Sequence, residues 1–285
     1  MQPVSPEQIR EIVTRALEED APFGDVTTTA LFPQPVSASA VILANQRLTV
    51  AGLAVAIHTF QQVGASVTVT EHLSDGSMAQ AGAAILTVAG DARSILRAER
   101  VALNFLQHLS GVATLTRAYC DAIRGYPAKI LDTRKTTPGL RALEKWAVDL
   151  GGGTNHRFSL SDGLMIKDNH IALLAQAGLS LADGCRRARE RAPHQLRMIV
   201  EVDRLEQIPM ALDGGADVIL LDNMVPTDVR KAVDLIKGRA LVEVSGGVGL
   251  ATVRDYAAAG ADFISIGALT HSAPAVDISL DLSPV

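Results

Sequence analysis

Residues 198–269 read MIVEVDRLEQIPMALDGGADVILLDNMVPTDVRKAVDLIKGRALVEVSGGVGLATVRDYAAAGADFISIGAL. Four apolar, β-branched runs recur in this stretch, at 198–203, 218–223, 241–246 and 263–269, with helical segments between them at an interval of roughly 20 residues. Runs so continuously apolar suit strands buried on both faces, and the beat predicts successive βα units around a parallel sheet. Two earlier runs, KILDT at 129–133 and GLMIKD at 163–168, extend the same pattern backwards. In a parallel barrel or open α/β sheet, ligands are met at the carboxyl ends of the strands.

The polar residues ending each run are therefore the informative ones. In order they are Asp132, Lys167 with Asp168, Glu201 with Asp203, Asp222, then Ser245-Gly246-Gly247, and Gly267. Glycines after the last strands can expose backbone amides to a phosphate, or simply turn the chain. Glu201 and Asp222 on neighbouring strands could hold Mg2+ directly or through water, since that ion takes oxygen ligands and keeps its waters. Each could equally cap a helix or pair with a cation. Lys167 directly follows an apolar run, and a lysine buried there would need an anion or a covalent role.

Cationic groups concentrate just upstream, in LDTRKTTPGLRALEKWAVDLGGGTNHRFSLSDGLMIKDNH at 131–170. Only six lysines occur in 285 residues, and Lys129, Lys135, Lys145 and Lys167 are four of them. With a formal net charge of -5 overall, such local density points to a focused site for a polyanionic small molecule. Arg134-Lys135 alone would read as a surface pair. His156 beside Arg157 could orient a carboxylate, the arginine through its bidentate fork. Gly151-Gly152-Gly153 would let a loop approach a ligand or a neighbouring backbone, or form a plain turn.

The first half of the chain has a different rhythm. Ser5 and Pro6 start a helix whose stripe is Ile9, Ile12, Val13, Ala16 and Leu17. Residues 23–28, FGDVTT, read as the turn that closes it. Short β-prone pieces then alternate with glycine turns between 38 and 88, interrupted by a helix over 51–63, which predicts a small α+β sheet domain. A long helical region follows at 92–119; there Glu99-Arg100 reads as a solvated pair and His108 as a satisfied polar contact.

Composition narrows the function classes. At 48% hydrophobic and 20% charged residues the chain is an ordinary globular one. Its acidic balance, with no basic stripe, argues against nucleic acid. No apolar run reaches the ~20 residues that span a bilayer, and the N-terminus lacks the basic start and apolar run of a signal peptide. Cys120 and Cys185 are too sparse for a disulfide framework or a zinc site and read as packing residues in a cytoplasmic protein. Three functions fit: a transferase joining an anionic acceptor to a phosphorylated sugar, a barrel aldolase using Lys167 as Schiff-base nucleophile, and a non-catalytic phosphometabolite binder. Paired Glu201 and Asp222 favour the first, because an imine aldolase needs no divalent ion.

In chain order, ERVALN (99–104) with Ser110-Gly111, DTRKTTPGLR, GGGTNHR, IKDNH, EVD, LDNM, SGG and GALTH together resemble the quinolinate phosphoribosyltransferase family over nearly the whole chain. The resemblance implies an N-terminal α+β sandwich domain at 1–115, joined by the tail 271–285, and an incomplete TIM-like α/β barrel at 116–270. It also implies a homodimer in which Arg100 reaches the partner's site. Quinolinate carboxylates would meet Arg134, His156, Arg157 and Lys167. Phosphoribosyl pyrophosphate and Mg2+ would meet Lys135, Glu201, Asp222, Ser245, Gly246 and Gly267, with Glu201 and Asp222 holding the metal directly or through water, and Thr133, Gly247, Ile266 and Ala268 would also bind substrate. Lys135, Lys167, Glu201 and Asp222 would carry the chemistry, and no organic cofactor is implied. Trp146 and Gly247 depart from residues common in the family, without removing a charged group. A related subgroup associated with molybdenum transport shares the fold, and the retained cations favour quinolinate.

Overall fold

The computed structural model describes residues 4–64 and 66–284; residues 1–3, 65 and 285, which fall within or at the ends of the expected domain ranges, lie outside the described residues. In chain order the strands are β1 (Ser37–Ala44), β2 (Leu48–Thr49), β3 (Thr68–Glu71), β4 (Met78–Ala79), β5 (Ala84–Asp91), β6 (Lys129–Leu131), β7 (Leu164–Ile166), β8 (Met198–Val202), β9 (Val218–Asp222), β10 (Leu241–Ser245), β11 (Phe263–Ser265) and β12 (Ile278–Pro284). The chain divides into two units. One comprises the chain up to Arg117, Thr136–Gly152 and the chain from Leu269; the other comprises Ala118–Lys135 and Gly153–Ala268.

The first unit is built on an antiparallel sheet in the order β12-β1-β5-β3, with β2 and β4 paired separately. Alternation along β1 sends Ala38, Ala40, Ile42 and Ala44 to the core, where Leu86, Val88, Phe60, Ile95 and Leu106 also lie. The opening helix, Pro6–Asp20, has the capping box its sequence announces: Ser5 Oγ accepts from the Gln8 amide and Gln8 Oε1 from the Ser5 amide. The run at 23–28 is not only a turn. Asp25 caps a second helix, Val26–Leu31, by accepting from the Thr28 amide at 3.0 Å, so the hydroxyl-rich residues enter a helix because an acid precedes them. The β-prone piece LTVAGL at 48–53 yields only the two residues of β2, because left-handed Gly52 starts the helix Leu53–Val63.

Asp75 serves that helix from outside. Its Oδ1 accepts from the Leu53 amide at 3.1 Å, which Gly52 has no side chain to do. Burial outweighs the bond and pushes the Asp75 carboxyl from 3.8 up to about 6. A carboxyl raised on folding contributes stability at low pH that is lost as pH rises through its folded value. Asp75→Asn keeps an acceptor without the charge, so its melting temperature should match the native protein's near pH 4 and exceed it by about 3 °C at pH 8. Melting curves across that range test this, and equal shifts at both pH values would contradict it.

The segment Thr136–Gly152 departs from the expected boundary, which assigned it to the barrel. Its helix, Arg141–Leu150, buries Glu144 completely: Oε1 lies 2.9 Å from His108 Nε2 and Oε2 accepts from the Thr137 amide at 3.0 Å. The glycine triplet explains the approach, since a Cβ on Gly151 would stand 2.6 Å from the Ala113 carbonyl oxygen. His108 is the satisfied polar contact expected of it.

The second unit carries six parallel strands in the order β6-β11-β10-β9-β8-β7. Strand order runs one way from β7 to β11 and then returns to β6. That is the cyclic order of a barrel rather than the reversing order of a doubly wound sheet, and the ring is interrupted between β6 and β7. The free edge of β6 is covered by Thr154, whose amide donates to the Ile130 carbonyl at 2.8 Å. Cys185 is fully buried here, and burial pushes its thiol up to about 11, as befits a packing residue. Among the described residues no helix is long and apolar enough to cross a membrane.

Candidate active site

Parallel strands in register send residues of one row to one face. Glu201, Leu220 and Glu243 form one such row across β8, β9 and β10, and Asp222, Ser245 and Ser265 form the row nearer the carboxyl ends of β9 to β11. All six line one cavity of 530 Å³. Its wall is completed by Thr133, Arg134, Lys135, His156, Arg157, Met165, Lys167, Asn223 and Gly246. Ten of the residues singled out in the sequence thus meet around one space: Thr133, Arg134, Lys135, His156, Arg157 and Lys167 of the 131–170 stretch, the carboxylates Glu201 and Asp222, and the Ser245-Gly246 turn, whereas Lys129 and Lys145 are not among its lining residues. The alternate face, with Val202, Leu221 and Val244 buried, is core.

The cationic side is held by several specific contacts. Thr133 Oγ1 accepts from the Lys135 amide at 3.0 Å, tightening the turn after β6. Fully buried Asp132 accepts from the His156 amide at 2.8 Å, tying the loop after the glycine triplet to the same strand end. Arg157 Nη1 donates to the Gly163 carbonyl at 2.9 Å, and Nη2 lies 3.4 Å from Met165 Sδ. Burial and then the neighbouring Arg134 charge push the Arg157 guanidinium below its ordinary pKa, while Asp162 and Glu243 oppose them. Two guanidinium groups close enough to repel form a site that a bound dianion would relieve.

Lys167 is not the buried lysine expected. Its side chain is 43% exposed, and Nζ donates to Glu201 Oε2 at 2.7 Å. The pairing accounts for its position beyond β7 and joins the cationic wall to the acidic one.

On the phosphate side, Gly246 adopts φ +92° against Asn223, itself at φ 55°; a Cβ on Gly246 would lie 2.1 Å from Asn223 Oδ1. Asn223 Nδ2 donates to Asp222 Oδ2 at 2.7 Å, and its amide donates to the Ser245 carbonyl at 2.8 Å. The turn glycine and the Asp222 carboxylate are therefore set by one residue. Gly247, Ile266, Gly267 and Ala268 are not among the residues lining this cavity. Ile266 is buried and donates its amide to the Leu131 carbonyl at 2.9 Å. Arg100 lies on an exposed position of the Ala92–Ala122 helix in the first unit.

The sequence reading did not single out Met165, Leu220, Asn223, Glu243 or Ser265. For Glu243 a signal existed: an acid in the middle of LVEVS stands where a buried strand otherwise carries only apolar residues.

Comparison with known proteins also gives two parts, with a single boundary near residue 111, so that Thr136–Gly152 falls in the C-terminal match. Family models described as quinolinate phosphoribosyl transferase, N-terminal domain and C-terminal domain, match residues 25–110 and 112–281. The nicotinate-nucleotide pyrophosphorylase (carboxylating) of Mycobacterium leprae is 43% identical over 96% of this chain and 96% of its own. Tobacco, Nicotiana tabacum, has a mitochondrial quinolinate phosphoribosyltransferase (decarboxylating) that is 42% identical over 96% of this chain and 82% of its own. Among solved structures, NadC from Streptococcus pyogenes superposes with a TM-score of 0.93 at 40% identity, covering 99% of this chain and 100% of that one.

Proposed function

Because the chain belongs to the quinolinate phosphoribosyltransferase family, we propose that its 530 Å³ cavity seats quinolinate against the cationic wall and phosphoribosyl pyrophosphate against the acidic and glycine wall. The enzyme transfers phosphoribosyl to quinolinate with loss of CO2, giving nicotinate mononucleotide and pyrophosphate, a step of NAD biosynthesis. "Carboxylating" and "decarboxylating" name this one reaction in its two directions. The observation that carries the assignment is the meeting of Arg134, Arg157 and Lys167 with Glu201, Asp222 and Gly246 in one cavity.

Quinolinate brings two carboxylates, and a pair of mutually repelling guanidinium groups is matched to two negative charges. Its ring nitrogen attacks the anomeric carbon as the bond to pyrophosphate breaks. Lys135, exposed on the turn after β6, neutralises charge on the departing group. Nitrogen is then quaternary, and its positive charge stabilises the in-plane electron pair left at the adjacent ring carbon when its carboxylate departs as CO2; that carbon then takes a proton. No organic cofactor is called for in this reading, because the charge on the adjacent ring nitrogen itself stabilises the electron pair.

The acidic wall fits Mg2+ of a particular kind. Among the described residues no group of three or more His, Cys, Asp or Glu could cage a metal, yet Glu201 and Asp222 offer two oxygen-bearing side chains on the same wall. That donor set suits an ion that keeps waters and takes its remaining ligands from substrate phosphates. When bound, it supplies charge neutralisation to the pyrophosphate. Glu201 would exchange part of its bond to Lys167 for this role, freeing the ammonium towards the acceptor.

The same reading includes a homodimer in the cytoplasm, with exposed Arg100 contributed to the partner's cavity. Purified enzyme given phosphoribosyl pyrophosphate, Mg2+ and either quinolinate or nicotinate should form mononucleotide only with quinolinate. Equal product from nicotinate would show that the second carboxylate is not read.

A further inference from the structure

Glu243 has no part in the reaction as described, yet its carboxylate sits in the cavity wall with 2% side-chain exposure, in the middle of β10. A buried carboxylate costs several kcal/mol unless it is well matched. Its Oε1 accepts from Ser265 Oγ at 2.5 Å and lies 3.3 Å from His156 Nε2. His156 Nδ1 in turn accepts from the Arg157 amide at 2.7 Å. A ring nitrogen that accepts a backbone N–H carries no proton, so the imidazole proton is on Nε2, facing Glu243. With its own amide on Asp132, His156 is clamped on three sides. His156, Arg157 and Glu243 also line a second cavity of 360 Å³, so the three stand between two spaces.

We infer that Glu243 is a positioning residue for acceptor binding: its Oε1 fixes His156 as the Nε2–H tautomer, and the clamped imidazole fixes the main chain from which Arg157 reaches the acceptor. His156 is then a bracket behind the acceptor rather than a ligand of its carboxylate, both ring nitrogens being engaged by the protein. The inference rests on the assignment of Arg157 to the acceptor made above. It deepens that assignment by locating what aims the guanidinium, a group whose displacement by about 1 Å can cost on the order of 100-fold in rate.

Both contacts of Glu243 use one oxygen, which gives the test its discrimination. Glu243→Ala removes the acceptor, whereas Glu243→Gln keeps an amide oxygen in the same place. The alanine variant should lose about 100-fold in kcat/KM for quinolinate, with KM for phosphoribosyl pyrophosphate changed by less than about threefold; the glutamine variant should recover to within about tenfold of native. Equal losses in the two variants would assign Glu243 to charge balance alone, and matched losses for both substrates would assign it to folding; either overturns the inference. A second measurement needs no variant of Glu243. In 15N-histidine-labelled native enzyme, with His156 identified by its absence in His156→Asn, Nδ1 should report as unprotonated and Nε2 as protonated, and a protonated Nδ1 would overturn the clamp. Native enzyme idle on quinolinate would defeat the functional reading by itself, while the ring-nitrogen spectrum would still decide the clamp.

Discussion

Arg157→Lys should lower kcat/KM for quinolinate by about 100-fold while leaving KM for phosphoribosyl pyrophosphate within about threefold. Two of the guanidinium nitrogens are already committed at the β7 end of the cavity, to the Gly163 carbonyl and towards Met165 Sδ. These contacts brace the fork in the cavity wall. An ammonium on a flexible stem can satisfy Gly163 or a substrate carboxylate, not both. A charge-assisted hydrogen bond is worth roughly 1.5–3 kcal/mol, and each 1.4 kcal/mol is tenfold, so losing one fork contact corresponds to about 10-fold to 100-fold. Alanine should cost more, because Arg134 is then the one guanidinium left on the acceptor wall beside Lys167. Steady-state kinetics with each substrate varied in turn separates the outcomes, and a loss confined to phosphoribosyl pyrophosphate would move Arg157 out of the acceptor pocket.

Gly246→Ala is the second large effect. At φ +92° an L-residue pays about 1–2 kcal/mol for the left-handed backbone, and the new Cβ would lie 2.1 Å from Asn223 Oδ1 and 3.0 Å from the Asn223 amide nitrogen. Asn223 has to move, which breaks its bond to Asp222 and strains the one to Ser245. Misplacing Asp222 should raise KM for phosphoribosyl pyrophosphate and lower kcat/KM for it by about 100-fold. Gly247→Ala is the matched control. Its φ is +65° and its Cβ would meet nothing within 4 Å, so it bears the backbone cost alone and should keep activity within about threefold. Equal activity of the two variants would break the proposed link between the turn and the Asp222 carboxylate.

Much of the fold was legible because parallel strands buried on both faces write continuous apolar runs, and six such runs with helices between them leave few topologies. Interruption of the ring between β6 and β7 was not legible from periodicity, since it depends on Thr154 pairing with the β6 edge. Nor was the return of Thr136–Gly152 to the first unit: fully buried Glu144 looks like a solvated helical acid until His108, 36 residues away, is placed beside it. The site was legible where a charged residue ends a strand, as with Glu201 and Asp222. It was misread at Lys167, whose half-exposed side chain answers to Glu201 rather than to burial. Glu243 was passed over because only Ser245-Gly246-Gly247, which close the β10 run, were read as site candidates there, although Glu243 shares a register row with Glu201.

The decarboxylating transfer itself is tested most directly with quinolinate labelled in the carboxyl group next to the ring nitrogen. Incubated with the enzyme, phosphoribosyl pyrophosphate and Mg2+, it should release one labelled CO2 for each nicotinate mononucleotide formed, and none when phosphoribosyl pyrophosphate is omitted. Mononucleotide without labelled CO2, or CO2 without the sugar donor, would contradict a mechanism in which the quaternary ring nitrogen drives the loss of that carboxylate.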